Sequence, residues 1–336
     1  YIVAGEIVHV VSGKTWAEFV EERIMKPLEM SNSVASVKRL KDTTNVITPH
    51  VPVDGKLKTI KRYENQLFDG AAGIYSSVND LSKWAILQLN NGKYGDNKQL
   101  FSEKEHNEMW QLQTIIPTKT RPPYNTHFSG YGLGWFLSDV KGHKQIQHTG
   151  GLIGTVTQFT LIPDMKLGIV VLTNQQSGAA FNTITNTVKD SYLGVADRNW
   201  LKTYGERMKK MEESFNQQKK EAFAKSDAFR KDKNLQPKAE QFTGTYNDQW
   251  FGDVEITLQG NVYRISCKSS PRLKGELLPY SNNSFIIKWD DRSYDADAYI
   301  IFDYDETGKA QSARLKPISD VTDFSFDFDD LDLRRK

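Results

Sequence analysis

Residues 167–172 read LGIVVL, a run of strand length with no polar position to turn toward water. Such a strand is stable only where both of its faces are covered. The runs before it are also strand-like: YGLGWFL from Tyr131, a turn at SDVKGHK, QIQHT, TVTQFTLI, and a turn at PDMK. The turns are too short for crossover connections, so the strands are expected to pair as antiparallel hairpins. Ala180, Ile184, Val188 and Tyr192 follow at helical spacing and are expected to supply part of the cover.

Upstream the period changes to that of helices. Ile2, Val3, Ile7, Val10 and Val11 predict a helix stopped by Gly13. Thr15 and Glu18 form a capping box for a second helix that turns Trp16, Phe19, Val20 and Ile24 inward. DGAAGIYSSVNDLSKWAILQLNNG predicts a small-residue turn at Gly70–Gly73, then a helix capped by Ser77 and Asp80. Ser102 and Glu105 cap another helix, and the Pro-rich loop from Pro117 to Pro123 is long enough to border a cleft.

With 336 residues the chain is long enough for two domains. The stretch ERMKKMEESFNQQKKEAFAK is charged and poor in large apolar residues, which predicts a solvated helix or helical linker at 196–237. Beyond it, DVEITL, VYRISC, GELLPY, SFIIKW, AYIIFDYD, QSARLKPI and DFSFDFDDL are separated by Gly, Asn, Asp and Ser turns. Their number and spacing predict a small antiparallel barrel or sandwich over 238–336. In the last run, Phe324, Phe326 and Phe328 alternate with Ser325, Asp327 and Asp329, as in a strand with one aromatic face.

Composition narrows the functions. No apolar stretch is long enough for a membrane helix, and a formal charge of +2 with mixed signs gives no nucleic-acid footprint. Cys267 is the only cysteine, which excludes an internal disulfide and any multi-cysteine metal site. Its alternation with Tyr263 and Ile265 predicts a packed structural thiol. No two of His9, His50, His106, His127 and His143 have metal-pair spacing, and structural or solvated roles are expected for all five. Asp327, Asp329 and Asp330 lack the Gly and terminal Glu of a calcium loop, so neither a metal nor a cofactor is expected.

The chemistry-bearing stretch is HTGG at 148–151. Two glycines leave backbone uncovered, so a ligand can approach and accept hydrogen bonds from N–H groups, as an oxyanion hole requires. Thr149 supplies a neutral donor and acceptor, and His148 can hold or release a proton near neutral pH. A bent strand with a half-buried histidine would account for the same four letters.

Four segments together resemble the serine β-lactamase and penicillin-binding-protein superfamily, in its class C-like hydrolase and esterase branch. They are YIVAGEIVHVVSGKTWAEFVEERIMKPLEM, DGAAGIYSSVNDLSKW, YGLGWF and HTGGLIGTVTQFTLIPDMKLGIVVLTN, in the family's order over 1–195. Glu29 stands where the family phrase at the end of the first segment has Gly. FTGTYNDQWFGDVEITLQGNVYRI and DFSFDFDDLDLRR resemble the lipocalin-like domain appended to many such hydrolases. The resemblance implies an α+β fold: part of a β-lactamase/transpeptidase-like domain at 1–195, an antiparallel sheet with helices, then a small antiparallel β-barrel. It implies an acyl-enzyme reaction on an amide, ester or β-lactam, with a small-molecule or peptide substrate and a periplasmic or extracellular location. His148 then takes the position of the family's strand Lys or His, Thr149 its hydroxyl and Gly150 its glycine. The Gly151 N–H is one oxyanion donor.

The family's Ser-x-x-Lys and Tyr-x-Asn motifs do not appear where that order requires them. Ser138–Lys141 fits the first by letter but occupies a turn; Tyr63–Asn65 and Tyr280–Asn282 fit the second out of order. The resemblance therefore implies that the nucleophile lies upstream of Tyr1, and that a missing N-terminal segment or a second chain completes the sheet. On that reading residues 1–336 alone are inactive. The rival expectation is a non-catalytic peptide- or glycan-binding protein on a degenerate hydrolase scaffold.

Overall fold

The computed structural model describes residues 1–53, 55–320 and 322–336, without the side chains of Lys233 and Phe324. It divides into two compact units, Tyr1–Val51 with Leu57–Gly205 and Pro52–Lys56 with Glu206–Lys336. The expected fold class, an α+β unit with an antiparallel sheet and a separate antiparallel barrel, is the one found.

The sheet of the first unit is a meander. Its strands are β1 (Thr114–Ile115), β2 (Ser129–Tyr131), β3 (Phe136–Val140), β4 (His143–Leu152), β5 (Thr155–Ile162) and β6 (Leu167–Leu172). They lie side by side in chain order, each antiparallel to the next. One face carries Leu137, Ile146 and Leu161 beneath Ala85 of the helix Val78–Leu89, joined by Trp110 and Trp135. The helix Gly178–Leu193 covers the other face, where Ile162, Leu167, Ile169 and Val171 pack with Phe181 and Leu193. LGIVVL is thus covered on both sides, but of the stripe read from the sequence Val188 packs on that core while two members point away. Ile184 and Tyr192 are exposed, and the buried side of that helix runs through Phe181, Thr185 and Lys189. The helix is rolled because the sheet beneath it is polar: Thr185 donates to Gln158 (2.9 Å), and Lys189 Nζ donates to Gln145 (3.0 Å) while lying over the Tyr124 ring.

Among the helices preceding these, in chain order, are α1 (Ile2–Ser12), α2 (Trp16–Val20), α3 (Val78–Leu89) and α4 (Glu103–Met109). Both expected capping boxes are present, Thr15 with Glu18 and Ser102 with Glu105, and Ser77 caps α3. On α1 the structure departs from the sequence reading. Its only buried residue is Gly5, which meets Gly70, whereas Ile2, Val3, Ile7, Val10 and Val11 are exposed. Only a glycine pair permits so close an approach of backbones, so α1 docks by its smallest residue rather than by its aliphatic face.

The helix covering the second sheet face is α5 (Gly178–Leu193), and α6 (Trp200–Lys231) follows. The part of α6 within the second unit is not uniformly solvated. Ala222 and Ser226 are buried against Leu278 and Ile286, and Ser226 donates to the Pro279 carbonyl (2.8 Å). The second unit is a closed eight-stranded barrel whose strands are 244–248, 252–259, 262–267, 274–281, 284–289, 298–304, 310–317 and 333–335. Its interior is filled: Phe242 meets Tyr263, Phe285 and Phe302 at ring distances of 4.8, 4.5 and 5.5 Å, with Tyr246 and Trp289 also enclosed. Cys267 lies in this core and burial pushes its thiol up to about 12, as expected of a structural cysteine.

DFSFDFDDL is not a strand. Phe324–Phe326 and Phe328–Asp330 are single 3-10 turns, and Leu333–Arg335 closes the barrel instead. Phe326 and Phe328 both pack on the core, which strict alternation with their polar neighbours already suggested, but the positive φ of Asp327 breaks the extended chain between them. The side chain of Phe324 lies outside the described residues. At the turn between the first two barrel strands, buried Asp248 accepts from the N–H groups of Trp250 and Phe251 and from that of Asp332. The turn so fixed leaves Trp250 97% exposed.

Burial lowers the Lys189 ammonium to about 8 from 10.5, partly offset by neighbouring Asp190. The unfolded chain then binds more protons than the folded one between those values, so stability increases as pH rises from about 8 to 10.5 and the cost is constant below. Thermal unfolding followed against pH should show this slope in the native chain and lose it in Lys189→Met; an unchanged slope would refute the assignment.

Candidate active site

The pairing of β4 is uneven. Toward β5 it is paired as far as Leu152↔Thr155, but toward β3 it is paired only from Val140↔His143 to Phe136↔Gln147. Among the described residues, 148–152 therefore have no strand partner on the β3 side. The cause lies in GLG of YGLGWF. The Gly132 N–H bonds to the Trp135 carbonyl (2.8 Å) and Gly134 adopts φ +82°, so the chain reverses before Phe136 and β3 starts too late to reach HTGG.

That free edge opens on a cleft of about 1600 Å³. The volume exceeds the range of roughly 300–1,000 Å³ usual for small-molecule pockets and suits an extended substrate. His148, Thr149 and Gly150 line it together with Leu152, Thr157 and Phe159; Ser31–Val34 and Ile74–Ser77 form the facing wall, with Lys38, Lys41 and Arg62 also in the lining. The facing wall is tied by a two-way backbone bridge between Val34 and Tyr75, and by buried Asp80 accepting from the Asn32 N–H and Ser33 Oγ, both at 2.8 Å. Strict alternation places His148 and Thr149 on opposite faces, yet both line the cleft, because at an unpaired edge the opposite-facing side chain is also reached from the side.

Gly151 is exposed and adjoins the cleft through the peptide it shares with Gly150, but does not itself line it. The two glycines differ in why they are glycines. A Cβ at Gly150 would stand 2.6 Å from Thr157 Oγ1, whereas one at Gly151 would meet nothing nearer than Val156 at 4.0 Å. Gly150 is thus required by packing across the β4–β5 pair, and Gly151 leaves the edge uncovered.

The surroundings of His148 include residues that the sequence reading did not single out. Tyr131 Oη lies 3.0 Å from His148 Nε2, Tyr1 Oη lies 2.8 Å from Tyr131 Oη, and His148 Nδ1 donates to the Thr149 carbonyl (2.6 Å). Burial, and then the Tyr1 hydrogen bond, raise the Tyr131 hydroxyl well above its ordinary value, so it stays protonated. The signal was available: YGLGWF was read as the strand leading to the site, but two antiparallel registers, Tyr131↔Phe136 and Phe136↔Gln147, are what bring its tyrosine beside His148.

Ser138 lies in β3 rather than in a turn, with its Oγ accepting from Gln145, and Lys141 donates to the Leu193 carbonyl, so this Ser-x-x-Lys has no helix and no place in the cleft. Tyr63 does line the cleft, stacked on Phe68 at 5.5 Å, while Tyr280 sits in the barrel against Tyr299. The loop from Pro117 to Pro123 does not line the cleft; Tyr124 just beyond it donates to Asp190 of α5 (2.7 Å). His50 and His143 begin strands, bonded to the Asn174 carbonyl and Asp164; His127 bonds to Asp139; and His106 is buried. Burial pushes the Asp139 carboxyl up, but the His127 ring and the N–H groups of His127 and Phe128 outweigh it and hold it low. Among the described residues no group of three His, Cys, Asp or Glu is gathered to hold a metal ion.

A family model described as Beta-lactamase matches residues 1–193. The chain belongs to the beta-lactamase family. The barrel of this beta-lactamase-family chain falls within a match to a domain of unknown function, DUF3471, at 230–335. Similar curated proteins include unguisins hydrolase ungD' of Aspergillus campestris, 24% identical over 222 residues that make up 64% of this chain and 40% of that protein. Another is D-alanyl-D-alanine-carboxypeptidase/endopeptidase AmpH of Escherichia coli K12, 24% identical over 192 residues, 53% of this chain and 44% of that protein. The chain thus spans less than half the length of either. Among solved structures, the octameric penicillin-binding protein homologue from Pyrococcus abyssi shares the fold, with a TM-score of 0.50 at 18% identity over 98% of this chain and 62% of that one.

If the Thr157 hydroxyl is what forces glycine at 150, Gly150→Ala should cost about 1–3 kcal/mol by urea unfolding, as overpacking generally does. In a Thr157→Ala background most of that cost should vanish; additive effects of the two changes would show that the contact is not the reason.

Proposed function

We propose that this beta-lactamase-family chain forms the oxyanion and substrate-strand side of a serine hydrolase that works through an acyl-enzyme, on an amide in preference to an ester or β-lactam. The observation that carries this reading is the unpaired edge of β4 at 148–152 opening into the cleft. An extended acyl donor laid along it can add as a further strand, with His148 and Thr149 beside the reacting carbonyl. Successive N–H groups of a strand point to alternate edges, and the Gly151 N–H, next to cleft-lining Gly150, is the donor assigned to the developing oxyanion. Lys38 and Lys41 in the lining suit a substrate with a carboxylate. The preference for an amide is supported by the name of one relative, a D-alanyl-D-alanine-carboxypeptidase/endopeptidase.

The attacking serine in this reading comes from outside residues 1–336, since Ser138 of the one Ser-x-x-Lys is turned into the sheet. Labelling the natural full-length protein with a fluorescent penicillin or fluorophosphonate should modify a serine outside this region, and Gly151→Pro, which removes the N–H, should lower acylation by about a hundredfold or more. Residues 1–336 alone should not label. Labelling of a serine within 1–336 would overturn the placement of the nucleophile, and tight binding of peptide or glycan without any acylation would favour a non-catalytic binding protein.

A further inference from the structure

Three hydrogen bonds at the cleft have a sense that the chemistry of one end decides. A carbonyl oxygen can only accept, so the Thr149 carbonyl, 2.6 Å from His148 Nδ1, places the proton of the neutral imidazole on Nδ1. Nε2 is then an acceptor, Tyr131 must donate to it across 3.0 Å, and Tyr131's oxygen receives the Tyr1 hydroxyl proton across 2.8 Å. Phe136 closes the arrangement, edge-on to Tyr131 at 4.8 Å and tilted against His148 at 5.5 Å. The chain of bonds runs from a cleft-lining imidazole through Tyr131 to the Tyr1 hydroxyl.

We propose that Tyr131 is a positioning residue for His148: with the Thr149 carbonyl it holds the imidazole as the Nδ1–H tautomer, and with Tyr1 it conducts a proton to and from Nε2. When His148 is charged, an acid or water at Tyr1 gives one proton to the Tyr1 oxygen, the Tyr1 proton moves to Tyr131, and the Tyr131 proton moves to Nε2. One proton enters, one appears on the imidazole, and neither hydroxyl gains or loses one. Discharge runs the three moves in reverse. In the neutral state Nε2 is already occupied by the Tyr131 hydroxyl, so His148 exchanges protons through Tyr131 rather than by direct contact with a substrate proton. The catalytic use of this relay rests on the hydrolase reading above, but its hydrogen-bond geometry does not.

The test uses residues 1–336 labelled with 15N-histidine, with long-range proton–nitrogen spectra identifying the tautomer of each ring and His148→Gln assigning the signal. The native chain should show His148 as Nδ1–H. Tyr131→Phe, which leaves only the Thr149 carbonyl to favour Nδ1–H, should raise the Nε2–H fraction while the other histidines stay unmoved, and Tyr1→Phe should leave the tautomer in place. A native Nε2–H form, or a Tyr131→Phe spectrum identical to the native one, overturns the proposal, and the unmoved histidines exclude global misfolding as the cause. In the full-length enzyme, Tyr131→Phe should lower kcat roughly tenfold or more with KM changed little. A tautomer change in residues 1–336 with no acylation of the full-length protein would retire the hydrolase reading and leave the relay standing, whereas acylation of the full-length protein with an unmoved tautomer would do the reverse.

Discussion

The site depends on a mismatch in hydrogen bonding between neighbouring strands. β4 is ten residues long and β3 five, and their ladder stops at Phe136↔Gln147. Backbone groups in a sheet interior are satisfied by their neighbours and unavailable to anything else. By ending β3 early, the Gly132–Trp135 turn leaves the second half of β4, among the described residues, paired on the β5 side alone. The same turn sets Tyr131 and Phe136 on either side of it, which is why one reversal of the chain both exposes the HTGG backbone and provides the ring and hydroxyl that hold His148.

A strand so paired needs support from elsewhere, and β4 has it on the face that α5 covers. Gln145, Gln158, Thr185 and Lys189 form a buried polar layer in which side chain bonds to side chain, and Tyr124 and Trp200 donate to Asp190 beside it. Such a layer is less forgiving than an apolar one, because a shift of strand or helix leaves buried donors and acceptors unmatched. It fixes the register of β4 behind the site, while the opposite face, with Leu137, Ile146 and Leu161, supplies ordinary apolar burial.

Much of this was legible in the sequence where local rules decide. The two capping boxes, the antiparallel hairpins from Tyr131 to Leu172 and the barrel strands from Asp253 to Pro317 follow from alternation and turn chemistry, which act over a few residues. The misreadings fall where a distant partner decides. The apolar letters of α5 give Ala180, Ile184, Val188 and Tyr192; Val188 packs on the core, but Ile184 and Tyr192 face out because a polar sheet face selects Thr185 and Lys189. The aliphatic letters of α1 point inward by composition, but the contact is made through Gly5 and Gly70. At the site, HTGG was legible because glycine pairs and a titratable ring are rare inside strands; Tyr131 was not, because its tyrosine reads as one more strand aromatic until two registers place it opposite a histidine.

The filled barrel carries a consequence of its own. A guest in its interior would have to displace side chains such as Phe285 and Phe302, and losing the packing of one buried aromatic costs about 3–5 kcal/mol. The second unit is therefore solid stock rather than a vessel, and what it can offer another molecule is confined to its skin. There, a buried carboxylate holds a single hairpin turn by two bonds and ties it to the Asp332 backbone by a third, with the indole of Trp250 bare at its tip.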